Sequence, residues 1–102
     1  MSKVITLRAD EIDRTFGKGT SFLKAKKVRI LIHKLILTYL TYNDFKYLDF
    51  EKSFVRKSRD KPYAFEIDIV ENDSMKSRLT FDLLAARIEL LLRKGPGSIS
   101  PL

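Results

Sequence analysis

The stretch 27–42, KVRILIHKLILTYLTY, is the longest dense apolar run in the chain, and the fold turns on how it is read. Taken as a helix, it sets Val28, Leu31, Ile32, Leu35, Ile36, Tyr39 and Leu40 on one broad apolar face. Arg29, His33, Lys34, Thr38 and Thr41 fall on the other side. Ile30 and Leu37 break the pattern. At about 100° per residue they stand in line among the polar positions. Either another part of the chain covers them, or they form an exposed patch for a partner. The opening VRILI is β-branched and partly alternating, which admits a strand ending near Val28. The apolar pattern outruns a typical strand, so a helix from about Arg29 onward is the better reading. The run is too short for a membrane span, and Arg29, His33 and Lys34 interrupt it.

Working outward, residues 3–8 (KVITLR) read as a short strand. Residues 9–16 (ADEIDRTF) are a helix capped by Asp10 and ended by Gly17, or equally a strand turning at Gly17-Lys18-Gly19. Residues 45–57 are aromatic-rich. Tyr47, Phe50 and Phe54 fit one helical face, while the composition suits a strand. SRDKP at 58–62 is a turn, and YAFEIDIVE at 63–71 is the clearest strand, alternating Tyr63, Phe65, Ile67 and Ile69 with Ala64, Glu66 and Asp68. After a turn at 72–74, residues 75–81 return as an antiparallel strand with Leu79 and Phe81 inward. Asp82 then caps a second helix over 83–94, with Leu84, Ile88, Leu91 and Leu92 as its core face. Leu83, Ala86 and Leu90 lie on a separate side, and residues 95–102 form a flexible tail.

Two weak internal alignments suggest related halves, about 1–44 and 45–94. Residues 12–16 match 50–54 in character. Val28, Ile30, Leu31, Lys34, Leu35 and Leu37 match Phe81, Leu83, Leu84, Arg87, Ile88 and Leu90 at a constant offset of 53. Two hairpin-plus-helix units sharing one core would explain both matches.

The 102 residues make one domain, of ordinary 44% hydrophobic content, with no cysteine for disulfides, thiolate metal sites or a thiol nucleophile. The first residues show no signal-peptide pattern, and a cytoplasmic setting is expected. There is no glutamine, there are only two asparagines and two methionines, and 32% of residues are charged, a composition of hyperthermophile type. In composition alone, without a motif, the chain resembles the small orphan proteins encoded by viruses of hyperthermophilic archaea. That resemblance implies a host cytoplasm and a binding or regulatory task.

The net charge of +7 is localised. Between residues 14 and 43 there are seven cations and no acid. Such a patch attracts phosphates, so Lys24, Lys26, Lys27 and Arg29 are nucleic-acid candidates, with Tyr39, Tyr42 and Tyr47 available to stack bases.

No catalytic constellation is legible. Gly17-Lys18-Gly19-Thr20 lacks the phosphate-loop spacing, since position 12 is Ile and Gly19 separates Lys18 from Thr20. His33 is the only histidine and has no partner near in sequence. Glu66 and Asp68 read as the solvated side of a sheet rather than a metal site. The expectation is therefore an α+β fold of short antiparallel strands with two helices. It would serve as a non-catalytic protein or peptide binder, with no cofactor, metal or membrane, acting as a monomer or homodimer. The partner would meet Ile30, Leu37, Leu83 and Leu90, in a patch or in a groove between the halves, or would add to a sheet edge. Nucleic-acid binding through 14–34 is the alternative, and an enzyme ranks last.

Overall fold

The computed structural model describes residues 2–61, 63–72 and 78–98. It is an α+β fold built on a three-stranded antiparallel sheet, in the order β1 (Ser2–Arg8), β3 (Ala64–Val70), β2 (Phe54–Lys57). The helices are α1 (Ala9–Phe16), α2 (Ala25–Tyr39), the single turn α3 (Tyr42–Phe45) and α4 (Arg78–Lys94).

Period-two alternation builds the sheet. Ile5 pairs with Ile67 and Leu7 with Phe65 between β1 and β3, and Val55 pairs with Ile67 between β2 and β3. All of these side chains are buried in one core. Val28, Ile32 and Ile36 of α2 join that core, as do Phe81, Leu84, Ile88 and Leu92 of α4. The register turns Val4, Thr6, Phe54, Arg56, Glu66 and Asp68 to the opposite face; there Arg56 Nε donates to Glu66 Oε1 at 2.9 Å.

Residues 9–16 are a helix, which resolves the ambiguity of that segment. Ile12 is fully buried. The Arg8 N–H donates to the Glu11 carboxylate at 3.0 Å and closes the first turn, so Asp10 is not the cap. Gly17, at φ 117°, ends the helix in a conformation that side-chain-bearing residues rarely adopt.

Several sequence expectations are corrected. α2 starts at Ala25, and no strand ends near Val28, because Val28 falls in helical phase with Ile32 and Ile36. Residues 78–81 are the first turn of α4, not a strand, and Asp82 is an interior helical residue. Phe81 suits either period, but it is in phase with Leu84, Ala85 and Ile88, and burial on that face wins. The remainder of that expected strand, 75–77, and most of the expected turn before it lie outside the described residues. Tyr63 does not extend the alternation of β3: it stands outside the strand at φ 62°, almost fully exposed. At the C-terminal end Pro96–Ser98 forms a short 3-10 turn, and residues 99–102 of the expected tail lie outside the described residues.

The hairpin-plus-helix halves do not appear. β1 pairs with β3 from the other half, and the segment meant to complete a first hairpin is α1. Residues 12–16 are helical, whereas residues 50–54 are turn and the start of a strand. The second alignment matches two helices, α2 and α4, that share one burial phase.

Candidate functional site

The outward faces of α2 and α4 hold the expected partner-binding residues. Ile30 and Leu37 are 57% and 49% exposed on α2, and Leu83 and Leu90 are 60% and 39% exposed on α4. Among the described residues nothing covers them, since each helix buries its opposite side in the core.

On α2 the exposed apolar pair shares its face with cations. Lys26, Lys27 and Lys34 are exposed and fall at the same helical azimuth as Ile30 and Leu37. The basic segment and the apolar pair, which the sequence assigned to different partners, are one surface. Lys24, also exposed, stands at the N-cap.

Arg29 leaves this group. It is half-buried and points to the loop after α3, where its guanidinium donates to the Phe50 carbonyl at 2.9 Å. The Phe50 ring also meets His33 edge-on, at 5.1 Å between ring centroids. Burial, reinforced by the nearby Arg29 charge, pushes the His33 pKa below its ordinary value. The only histidine thus serves as a packing residue.

The N-terminus of α2 is electrostatically unusual. It has no side-chain cap and no acid in its first turn, while Lys24, Lys26 and Lys27 cluster there. A helix N-terminus carries roughly half a positive charge, so these lysines oppose the helix's own dipole. α1 shows the ordinary arrangement, with Asp10 and Glu11 in its first turn and Arg14 in its last.

On α4 the outward stripe is longer and purely apolar: Leu79, Leu83, Ala86 and Leu90, with Leu79 69% exposed. The sequence reading missed Leu79 because it placed residues 75–81 in a strand. The signal that would have found it is the four-three-four spacing of these residues.

A cleft of about 650 Å³ opens where β1 and β3 meet α1. Phe22 and Tyr63, both almost fully exposed, flank it, and Lys57 lines it. Its other charges are occupied: Arg8 binds Asp10 at 3.0 Å, and Asp13 accepts from the Ser21 backbone N–H and hydroxyl at 2.8 and 3.0 Å. Neither aromatic stood out in the sequence, because exposure of a single aromatic has no periodic signature.

The other sequence candidates separate. Tyr39 and Tyr42 are exposed, whereas Tyr47 packs partly against the core. Glu66 is engaged with Arg56, and among the described residues no group of three His, Asp or Glu could hold a metal ion. Gly17–Thr20 follows a helix rather than a buried strand, and the Thr20 hydroxyl donates to the Gly17 carbonyl at 2.7 Å. Among the described residues no helix is long and apolar enough to cross a membrane.

One partly buried ion network stands apart. Arg93 of α4 donates to both oxygens of Glu11 at 2.9 Å, to Glu89 at 3.1 Å and to the Thr6 carbonyl at 2.8 Å. Burial alone would raise the Glu11 pKa; the Arg8 N–H and the Arg93 guanidinium outweigh it and hold the carboxyl below its ordinary value. Through these bonds Arg93 fastens the end of α4 to α1 and β1.

No family model, curated protein or solved structure matches the chain.

Proposed function

We propose that this chain is a non-catalytic interaction protein that binds an acidic, amphipathic segment of another protein across the outer face of α2. The observation that carries this reading is the coincidence of Ile30 and Leu37 with Lys26, Lys27 and Lys34 on one exposed face. The apolar pair supplies area that a protein segment would desolvate. The lysines supply steering and select a partner of opposite charge. An anionic partner would also relieve the clash between the lysines and the helix dipole.

Nucleic-acid binding is the alternative, and the uncapped, lysine-rich start of α2 favours it. Two features weigh against it. A phosphate backbone makes little use of Ile30 and Leu37, and Arg29 is committed to Phe50.

Fluorescence anisotropy separates the two. The probes are a labelled helical peptide bearing glutamates and heptad-spaced leucines, a scrambled version of it, and a random 20-base-pair duplex. The protein-binding reading expects Leu37→Asp to weaken the helical peptide at least tenfold while leaving any duplex binding intact. If Leu37→Asp changes nothing and Lys26→Glu with Lys27→Glu abolishes binding of every polyanion alike, the surface is a nucleic-acid site instead.

A further inference from the structure

We propose that α4 is the interface of a parallel homodimer, in which two copies of this chain pair their outer α4 stripes about a two-fold axis running along the helices. This goes beyond the α2 reading and uses a different surface.

Leu79, Leu83, Ala86 and Leu90 recur at four, three and four residues, the spacing of the apolar positions in a two-stranded coiled coil. Written as a heptad, Leu83 and Leu90 are a positions, and Leu79 and Ala86 are d positions. The remaining positions agree with this assignment. Phe81 and Ile88, at f, are fully buried against the sheet, so the a/d seam points straight out. Arg93, the next d residue, is bound to Glu11 and Glu89, and the seam stops there.

The flanking charges choose the occupant and the orientation. Asp82 and Glu89 stand at g, and Thr80, Arg87 and Lys94 at e. In a parallel pair each g residue faces the e residue five positions on in the partner. That sets Asp82 against the second copy's Arg87, and Glu89 against its Lys94, two attractive pairs in each direction. An antiparallel pair would set g against g, Asp82 toward Glu89, which repel. Arg87 already donates one nitrogen to Asp44 at 3.3 Å, and Glu89 accepts Arg93 through one oxygen, so each has further bonding capacity. α2 does not share this code. Its equivalent positions are Lys26, Ile30, His33 and Leu37, and its flanks hold no acid. A second copy therefore fits α4 and not α2.

Sedimentation equilibrium of the full chain from 1 to 500 µM, as a concentration series, is the first measurement. The proposal expects a reversible dimer. Leu83→Glu should shift its dissociation constant upward at least tenfold, with an unchanged circular dichroism spectrum. Lys94→Glu, which sets two glutamates face to face, should weaken it about fivefold at low salt and less at high salt. Orientation is read separately. The chain has no cysteine, so Ala86→Cys introduces a single thiol. Under mild oxidation the two substituted positions should join in a disulfide-linked dimer, and Leu79→Cys should behave likewise. A monomer at every concentration overturns the proposal. So does a dimer that neither Leu83→Glu nor Lys94→Glu weakens. A dimer in which Leu79→Cys crosslinks only when mixed with Leu90→Cys is antiparallel and overturns it too.

Discussion

α2 and α4 have the same inner design and opposite outer ones. Each buries an apolar stripe on the same sheet, in the same phase, and each leaves two large aliphatic side chains outward at matching positions, Ile30 and Leu37 against Leu83 and Leu90. Around that shared pair α2 carries only cations, and α4 carries acids and bases in alternation. Packing constrains the inner face through volume and period, whereas the outer face answers only to solvent and to partners. The difference between the helices therefore points to what each meets rather than to how each folds.

The strongest way to break the comparison is to exchange inner for outer. Ile32→Ala, at a fully buried site, should lower unfolding free energy by about 3 kcal/mol, while Ile30→Ala should stay within about 0.5 kcal/mol. Chemical denaturation of both variants checks this, and equal losses would mean that the outer face is packed after all. Next comes the Arg93 network. Arg93→Met leaves the buried Glu11 carboxylate with the Arg8 N–H but without its guanidinium, and should cost about 2–3 kcal/mol.

The same network sets a pH dependence. The folded-state pKa of Glu11 lies below its unfolded value, so its contribution is present above the unfolded value and is lost as pH falls through the folded one. Wild-type stability should thus decline below about pH 4.5, the ordinary range of a glutamate, and Glu11→Gln should flatten that decline. A Glu11→Gln curve parallel to wild type would remove Glu11 from the acid transition.

A smaller effect sharpens the contrast at the helix starts. Lys26→Glu and Lys27→Glu should stabilise the domain by about 0.3–1 kcal/mol each at low salt, because they complement the α2 dipole. Melting temperatures at low and high salt test this, and a fall in both would show that the lysines are structural. The smallest effect is local. Proton NMR should place the His33 pKa below the ordinary histidine value. Falling pH should then cost a little stability as it passes from the unfolded to the folded value. A titration at or above the ordinary value would mean that His33 is not held by Arg29 and Phe50.

Much of this architecture was legible in the order of residues. The alternation of Phe65, Ile67 and Ile69 marked the central strand, and the spacing of Leu84, Ile88, Leu91 and Leu92 marked α4. Ile30 and Leu37 declared themselves by standing outside their own stripe. The segments that misled were short. Residues 78–81 fit two periods, and the choice fell to burial of Phe81, which only the assembled core decides. Residues 9–16 carried caps for a helix and turn residues for a hairpin, and the contact between the Thr15 hydroxyl and the Leu92 carbonyl at 2.8 Å joins positions far apart in the chain. The sequence also placed Ile30 and Leu37 among the polar positions of α2, but the withdrawal of Arg29 to the Phe50 carbonyl was hidden from it. That contact joins positions 21 apart, and neither helical period nor charge count reports it.

The Arg93 fastening bears on how the molecule is made. It joins Glu11 of α1 and Thr6 of β1 to a residue near the C-terminal end of α4, 82 and 87 positions further along the chain. Among the described residues β1 likewise pairs with β3 alone. Groups 82 and 87 positions apart must therefore meet before the fastening closes, and non-local contacts of this kind form more slowly than the local turns of a helix.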